Sequence, residues 1–396
     1  MTVSRCTLHS GFVGCIFLMW LISFDPHHAV SQERYTARII ASGLDTPWGM
    51  VEDPSGQLWI TERPGRILRL DPSTGDRSVM LDIEPRVLNG PESGMLGLTI
   101  HPAFPDSPYV YAIHVEREWP WSQHLNRYTF NGDSLVDEIA LLTIPSSYSS
   151  HAGARVLFGH DTTIYMCTGD ATRGSTPQDT SSWLGKVLRI NQDGSIPNDN
   201  PYPGSPIWAK GLRNPHGPDT DDEVNKIVKG GNYGWPNVEG RASTPEQRAF
   251  KDSTGAIDAF WTTGRKTYGV GPVAYYTGNQ FPQWNRSLLV GSLKDATFTV
   301  VHFDRDSDTA TSSRNYFAHA FGRIRDIMVT RNGRILLCTS NRDGRASFGY
   351  PKPSDDHIYE ILPLPADAIA MFDEQPQPDT IYATVGDTLY HTMWLY

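Results

Sequence analysis

The sequence contains few cysteines, and their positions exclude several kinds of site. Four occur in 396 residues, and Cys6 and Cys15 lie within the first 24 residues. No CxxC pair and no Cys/His spacing typical of structural zinc is present. Cys167 and Cys338 each lie in an apolar, strand-like run, which favours two buried free thiols. A disulfide between them is the alternative that an oxidising compartment would allow.

Positive charge and long apolar runs are also scarce. The chain has 34 Lys and Arg against 44 Asp and Glu, a net charge of −10. This balance argues against a nucleic-acid partner, because phosphate binding needs a basic face. After the N-terminal region, no stretch is apolar and long enough to cross a membrane. Phosphate loops, nucleophile elbows and dinucleotide fingerprints are absent as well.

The N-terminus has the pattern of a secretory signal. Arg5 supplies the positive charge, residues 11–24 form the apolar region, and Ala29 and Ser31 place small residues before a cleavage site. We therefore predict a signal peptide over residues 1–31, a secreted or periplasmic protein, and no membrane association after cleavage. An uncleaved anchor is the alternative. Cys15 lies inside the apolar run, which argues against a lipoprotein anchor.

A short pattern recurs along the rest of the chain: an apolar run, a turn such as "DPSG" or "TRNG", and a second apolar run. Copies begin near Pro47, Gly94, His151, Gly271 and Arg323. They are about 50 residues apart if one further unit lies between the third and fourth, as in propeller blades. The pattern predicts an all-β propeller over residues 35–364, with a β-sandwich or barrel as the alternative. Propeller loops converge at one end, so chemistry is expected next to the hairpins.

His151 and Asp170 flank one such hairpin. Strands that run out and return would place both side chains at the same end of the sheet. A carboxylate next to an imidazole orients it and raises its basicity. The pair is a candidate for acid–base catalysis, while a structural histidine and a turn-capping aspartate are the alternatives.

Further polar candidates lie at other predicted strand ends. In "GLRNPHGPDTDDEVN", Arg213 and Asn214 offer a planar fork and a two-sided hydrogen bonder. Gly217 and Pro218 offer carbonyl oxygens of the kind that Ca²⁺ accepts, although the acidic residues after them could simply be a solvated turn. Lys294 follows an apolar run, and the alternation of Arg323 and Arg325 places both on one strand face. These cations indicate a small, multiply anionic ligand. The alternative is that they lie on an ordinary solvent-exposed strand edge.

These residues, in this order, resemble the soluble quinoprotein aldose dehydrogenases of the glucose/sorbosone dehydrogenase family. The resemblance covers about residues 44–362. It is carried by "LDTPWGM", "TERPGRI", "GMLGLTIHPAF", "HAGARVLFG", "TGDA", "GLRNP", "HGPDTDDEVN", "GGNYGWP", "GSLKD" and "GRIRDI".

The resemblance implies a six-bladed propeller that binds pyrroloquinoline quinone and Ca²⁺ and oxidises the anomeric hydroxyl of aldose sugars to lactones. An unidentified electron acceptor would complete the cycle. It further implies that His151 is the base, that Asp170 supports it, and that Arg213 also assists catalysis. The quinone would contact His151 and a set of polar side chains: Arg213, Asn214, Lys294, Arg323 and Arg325. The carbonyls of Gly217 and Pro218 would bind the cation.

The sequence departs from the family in two places. Ala154 replaces a second glycine in the histidine motif. Family members also place two strands and a turn, roughly fourteen to sixteen residues, between "RNP" and "HGP", which are contiguous here. We therefore expect one incomplete blade. Residues 365–396 read as an acidic linker followed by a β segment, for which a truncated β domain and a closing strand are the two alternatives. The alternative functions are a non-catalytic binding propeller of the hedgehog-interacting type and a Ca²⁺-dependent lactonase-like hydrolase.

Overall fold

The computed structural model describes residues 35–145, 148–214, 221–307, 309–364 and 394–395. The predicted signal peptide lies outside these residues, as do Gly217, Pro218 and nearly all of the predicted C-terminal segment. One helix, α1 (Pro245–Thr254), and a short 3₁₀ turn (Glu84–Arg86) accompany the strands. The strands are β1 (Tyr35–Ala41), β2 (Pro47–Glu52), β3 (Leu58–Glu62), β4 (Arg66–Leu70), β5 (Arg77–Asp82), β6 (Met95–Ile100), β7 (Tyr109–Val115), β8 (Ser122–Phe130), β9 (Leu135–Pro145), β10 (Gly153–Phe158), β11 (Ile164–Thr168), β12 (Lys186–Ile190), β13 (Ile207–Lys210), β14 (Glu223–Lys226), β15 (Trp261–Thr262), β16 (Val270–Tyr275), β17 (Ser287–Ser292), β18 (Phe298–Asp304), β19 (Thr309–Tyr316), β20 (Ile324–Val329), β21 (Ile335–Thr339), β22 (Ile358–Pro363) and β23 (Trp394–Leu395).

Hairpins form where the sequence predicts them. In the β2–β3 turn, the N–H of Asp53 donates to the carbonyl of Gln57 at 2.9 Å, and the Asp53 carboxylate accepts from the N–H of Ser55 at 2.8 Å. This is the local bonding that makes aspartate a favoured turn residue. The β6–β7, β10–β11, β16–β17 and β20–β21 pairs are likewise antiparallel hairpins.

Within the described residues, the strands form five four-stranded sheets and one three-stranded sheet. The four-stranded orders are β2-β3-β4-β5, β6-β7-β8-β9, β10-β11-β12-β13, β16-β17-β18-β19 and β1-β22-β21-β20. The first strands contact one another in the order β16, β20, β2, β6 and β10. Sheets arranged by their innermost strands around an axis make a propeller, so the predicted all-β propeller is confirmed.

The N-terminal strand closes the last four-stranded sheet. β1 pairs antiparallel with β22, with Tyr35 opposite Pro363 and Ala37 opposite Ile361. The Arg38 guanidinium donates to the Glu360 carboxylate at 2.7 Å across this pair. One sheet thus joins residues that are as far apart in sequence as Arg38 and Glu360, 322 positions.

The three-stranded sheet is the smallest in the described part of the chain. β14 pairs with β15 on one side and with β23 on the other. α1 lies between β14 and β15 in sequence, with the capping box of Thr244 and Gln247 at its start and Gly255 at its end. This sheet lies where the expected incomplete blade should be, and its two- to four-residue strands agree with that expectation.

Apolar residues fill the spaces between neighbouring sheets. One cluster joins the second and third sheets through Leu96, Ile113 and Met166, among others. Cys167 and Cys338 are buried and free, as the simpler interpretation predicted. Among the residues that the structure describes, no helix is both long enough and apolar enough to cross a membrane.

An ion pair crosses the propeller axis. Arg155 on β10 donates to Asp326 on β20 at 2.8 Å, although β2 and β6 lie between these two strands around the ring. The other oxygen of Asp326 accepts from the N–H of Met50 at 2.8 Å. Burial raises the pKa of Asp326, and Arg155 opposes that shift. The pair and the bond to Met50 therefore link the innermost strands β2, β10 and β20.

Candidate active site

The strand directions bring most of the predicted site residues to one end of the propeller. His151 precedes β10, Asp170 follows β11 and Arg213 follows β13. Arg323 precedes β20 and Lys294 follows β17. In an antiparallel sheet, the start of the first strand and the ends of the second and fourth strands lie at the same end. These residues therefore lie at one end of the propeller, as the hairpin pattern predicts.

His151 and Asp170 form a direct hydrogen-bonded pair. The Nδ1 atom of His151 lies 2.7 Å from Oδ1 of Asp170. Asp170 is buried, and its Oδ2 atom accepts from the indole N–H of Trp235 at 3.0 Å. The His151 side chain is 17% exposed. A carboxylate at Nδ1 fixes the tautomer that leaves Nε2 as an acceptor, and Nε2 has no hydrogen-bond partner among the described residues.

The backbone around His151 is unusually compact. His151 has a φ of 54°, a left-handed conformation that is uncommon for residues other than glycine. A Cβ atom on Gly169 would lie 2.0 Å from the His151 carbonyl oxygen, and one on Gly153 would lie 2.5 Å from the Gly169 nitrogen. Gly153 and Gly169 therefore allow the two ends of the hairpin to pack together.

Glu92 connects His151 to Asn214. One carboxylate oxygen of Glu92 accepts from the backbone N–H of His151 at 2.7 Å and from the amide of Asn214 at 3.1 Å. The Asn214 side-chain oxygen in turn accepts from the N–H of Gly153 at 3.0 Å. The other Glu92 oxygen pairs with Arg345. The buried Glu92 therefore fixes the backbone that carries the histidine.

Replacing Glu92 with alanine should lower the free energy of unfolding by about 2–3 kcal/mol, because buried donors lose a charged acceptor. Glu92→Gln, which keeps one acceptor oxygen, should cost less. Urea denaturation of both variants and the parent measures these differences. The exposed Glu118 supplies a control, since Glu118→Ala should change stability by less than about 0.5 kcal/mol. Equal effects of Glu92→Ala and Glu118→Ala would refute this role.

Arg323 and Arg325 converge on one buried carboxylate. The Nε atom of Arg323 and the Nη2 atom of Arg325 donate to Oδ2 of Asp343 at 2.7 and 2.8 Å. Arg323 also donates to the Leu293 carbonyl at 3.0 Å, directly before Lys294. The two arginines share a face, as the strand alternation predicts. Their nearest anion is a carboxylate of the protein itself, which the sequence argument did not identify.

Burial and neighbouring charges shift the pKa values of the arginines in this cluster. Burial lowers the pKa of Arg325 to about 10, and the neighbouring Asp343 opposes that shift. Burial also lowers the pKa of Arg63, against the charge of Asp343. The Arg325 guanidinium carbon lies 3.8 Å from the centre of the Trp48 ring, in cation–π geometry. Positive charge is thus concentrated in a partly desolvated place, where an anionic group would be bound strongly.

Arg345 links the two halves of the site. The backbone N–H of Arg345 donates to the Asp343 carboxylate at 2.9 Å, and its guanidinium pairs with Glu92. The Lys294 side chain is exposed and makes no hydrogen bond to any side chain that the structure describes. The site therefore consists of the His151–Asp170 pair on one side and a cationic group on the other.

Arg213 lies next to the catalytic candidate pair. Its carbonyl accepts from the N–H of Asp170 at 2.6 Å, and its guanidinium carbon is 5.2 Å from the Trp235 ring centre. Gly217 and Pro218, the predicted cation ligands, lie outside the described residues. Within the described ranges, no cluster of three or more His, Cys, Asp or Glu residues could hold a metal.

Sequence reasoning missed Glu92, Asp343, Arg345, Trp48 and Trp235. Asp343 had a detectable signal: it follows β21 after "CTSNR", much as Asp170 follows β11 after "CTG". An acidic residue just beyond the second strand of a hairpin therefore recurs at this end of the propeller. The long-range bonds of Glu92 had no local signal, because its partners are 59, 122 and 253 residues away.

This geometry has two chemical capabilities. An imidazole with its Nδ1 fixed by a buried carboxylate can take a proton at Nε2. The guanidinium groups can hold carboxylates or a developing oxyanion in planar, bidentate geometry. Together they suit proton abstraction next to a bound, multiply anionic group.

Known proteins resemble this chain in sequence and in architecture. The Glucose / Sorbosone dehydrogenase family profile matches residues 44–348. The chain is 35% identical to quinoprotein glucose dehydrogenase B of Acinetobacter calcoaceticus, across 79% of this chain and 86% of that protein. It is 25% identical to aldose sugar dehydrogenase YliI of Escherichia coli K12, across 83% and 96%. The PQQ-bound form of aldose sugar dehydrogenase from Streptomyces coelicolor superposes with a TM-score of 0.72 at 27% identity, covering 83% of this chain and 98% of that one. The chain belongs to the glucose/sorbosone dehydrogenase family.

Proposed function

We propose that this protein oxidises the anomeric hydroxyl of aldose sugars to lactones, with pyrroloquinoline quinone as its cofactor. The observation that carries the proposal is that the His151–Asp170 pair and the cationic Arg323–Arg325 group lie at one end of the propeller. Glu92 and Arg345 link the two groups. Relatives named as quinoprotein and PQQ-bound dehydrogenases support the choice of cofactor.

The residues present fit such a cofactor. Pyrroloquinoline quinone carries several carboxylates, and the described site offers four arginines around two carboxylates of the protein. Arg323 donates to the carbonyl of Leu293, and the exposed Lys294 is the next residue in the chain. Arg323, Arg325 and Lys294 would bind the cofactor's anionic groups, and Asn214 and Arg213 would supply further polar contacts.

His151 would act as the general base. Asp170 holds Nδ1 as a donor, so Nε2 can accept the proton of the anomeric hydroxyl. The indole of Trp235 and the N–H of Thr172 fix the Asp170 carboxylate at 3.0 and 2.9 Å, which keeps the imidazole oriented. Arg213, next to this pair, would stabilise negative charge developing on the substrate oxygen. Pyrroloquinoline quinone would supply the two-electron acceptor for the oxidation.

Several further properties belong to the same proposal. The carbonyls of Gly217 and Pro218 would bind Ca²⁺ beside the quinone. The three-stranded sheet would be the sixth blade, reduced by the strands that family members place after "RNP". The protein would act outside the cytoplasm after removal of residues 1–31, without associating with a membrane. An external acceptor, still to be identified, would reoxidise the cofactor.

An absorbance titration with pyrroloquinoline quinone and Ca²⁺ tests the cofactor site. We expect saturable binding by the parent chain and at least about tenfold weaker binding by Arg323→Ala, since one charged hydrogen-bonding partner is lost. Arg331→Ala is the matched control, because Arg331 is exposed in the turn at the other end of the same hairpin. Equal affinities of the parent and Arg323→Ala would reject the proposed site.

The reconstituted parent should also reduce an artificial acceptor when given aldoses. Absence of both quinone binding and turnover across a broad panel of sugars would favour the binding propeller instead. Lactone hydrolysis that proceeds without quinone would favour the hydrolase.

A further inference from the structure

Two exposed aromatic side chains, Trp119 and Tyr148, form a cluster with the half-buried Trp121 that the proposed chemistry does not use. Trp119 is 77% exposed and Tyr148 is 41% exposed. The ring centre of Trp121 lies 5.4 Å from that of Trp119 and 5.7 Å from that of Tyr148. Exposing large rings side by side is unfavourable in water, so a contiguous group of this kind usually marks a binding surface.

The cluster lies at the same end of the propeller as His151. Trp119 and Trp121 are in the loop between β7 and β8, and Tyr148 comes three residues before His151. The strands fix this placement, since the N–H of Leu88 donates to the Val115 carbonyl at 2.9 Å, where the loop begins. The N–H of Glu92 donates to the Ser149 carbonyl at 3.0 Å. Glu92 also holds the His151 backbone, so the aromatic cluster adjoins the proposed active site.

A cavity of about 500 Å³ lies at the same end of the propeller, between the end of β9 and the loop after β11, and its volume is within the range of small-ligand pockets. Its lining combines hydroxyl groups with an indole and one cation, from Thr143, Thr176, Ser181, Ser182, Trp183 and Arg173. Pro145, also in the lining, pairs with Ser122 directly after Trp121. The N–H of Arg173 donates to the Asp170 carbonyl at 2.9 Å. Through Pro145 the lining is thus next to the residue that follows Trp121, and through Arg173 it is next to Asp170.

We propose that the aromatic cluster and this cavity together bind the remote units of an oligosaccharide whose reducing end is oxidised at His151. The proposal rests on the proposed function and narrows its substrate class. Aromatic faces stack on the C–H faces of pyranose rings, and hydroxyl groups exchange hydrogen bonds with sugar hydroxyls. The lining carries little charge, and the loop residue Arg117 is already bonded to the carbonyls of Val87 and Glu84. A neutral, polyhydroxylated chain suits this surface better than an anionic ligand does.

Steady-state kinetics on glucose and on a series of malto- and cello-oligosaccharides of two to six units test the proposal. For the parent, we expect KM to fall at least about fivefold from glucose to the longer chains of one series. Trp119→Ala, and Trp119→Ala with Trp121→Ala, should abolish that decrease while kcat/KM for glucose stays within about twofold. Ile139→Ala is the matched control, because Ile139 is exposed on β9 of the same sheet. Thermal unfolding confirms that the variants are folded.

Three outcomes would overturn the proposal: a KM that does not depend on chain length in the parent, no effect of either Trp variant, or an equal loss for glucose and oligosaccharides. Calorimetric titration of the quinone-free protein with maltohexaose and cellohexaose separates this proposal from the oxidation itself. Binding that the Trp variants lose supports the surface even if no sugar is oxidised. Glucose oxidation without such binding upholds the enzyme and rejects the surface.

Discussion

Replacing His151 with glutamine is expected to lower kcat for aldose oxidation by about 10²–10⁴-fold, the usual contribution of a positioned general base. Glutamine has similar reach but cannot take a proton at neutral pH. The backbone bond from residue 151 to Glu92 is independent of the side chain, so the fold around it should persist. Turnover with a saturating aldose and an artificial acceptor, in protein loaded with quinone and Ca²⁺, measures the effect.

Two comparisons make this result specific. Quinone affinity of His151→Gln should stay within about fivefold of the parent, because the arginines around Asp343 are unchanged. His160→Gln, at an exposed histidine in the turn of the β10–β11 hairpin, should retain parental kcat. A His151→Gln enzyme with full quinone occupancy and a kcat within threefold of the parent would eliminate His151 as the base.

Asp343→Ala is expected to cause the largest loss of stability, about 3–5 kcal/mol of unfolding free energy, because it leaves buried arginines without their counter-charge. Asp343 is 6% exposed and bonds to both Arg323 and Arg325. Asp343→Asn keeps one acceptor and should cost less. Urea denaturation measures both, with Asp252→Asn on the exposed face of α1 as the control. A loss below about 1 kcal/mol for Asp343→Ala would show that the arginines are solvated or paired elsewhere.

The contribution of Asp343 should also depend on pH in a defined direction. Burial alone would raise its pKa, but the charges of Arg325 and Arg323, together with the hydrogen bonds from Arg345 and Arg323, outweigh burial and lower it below the ordinary value of 3.8. A carboxyl with a lowered folded pKa stabilises the fold above its unfolded pKa and loses that contribution as pH falls through the folded pKa. The stability difference between the parent and Asp343→Ala should therefore be constant near neutral pH and shrink below about pH 4.

Much of this architecture could be predicted from the sequence because its signals are local. Turn residues between two apolar runs specify a hairpin, and a hairpin places its two outer ends together, as with His151 and Asp170. Arg323 and Arg325 could be assigned to one face because strand alternation is a two-residue property. The identity of their partner Asp343 depends on how two loop ends meet in space. Glu92 and Trp235 were missed for the same reason, since their bonds to the site join different sheets.

The three-stranded sheet could be predicted only in part from the sequence. The contiguity of "RNP" and "HGP" predicted that strands would be lacking, and β14 and β15 are indeed short. A closing strand was one of the two interpretations of the C-terminal segment, but its pairing with β14 could not be predicted from the sequence. Strand pairing between distant segments is specified mainly by the space that the rest of the fold leaves, which a linear pattern does not record.

The pairing of β1 with β22 has a consequence for the order of assembly. Strands β20 to β22 can form their own hairpins early, but the sheet keeps an open edge until residues 35–41 return to it. Closing so long a loop adds little to the equilibrium cost, which grows only logarithmically with length, but it delays folding. During that delay, the edge of β22 is available to other chains. Newly made protein is thus most vulnerable to aggregation just before the ring closes, and a chaperone that shields this edge would raise the yield without altering the stability of the finished fold.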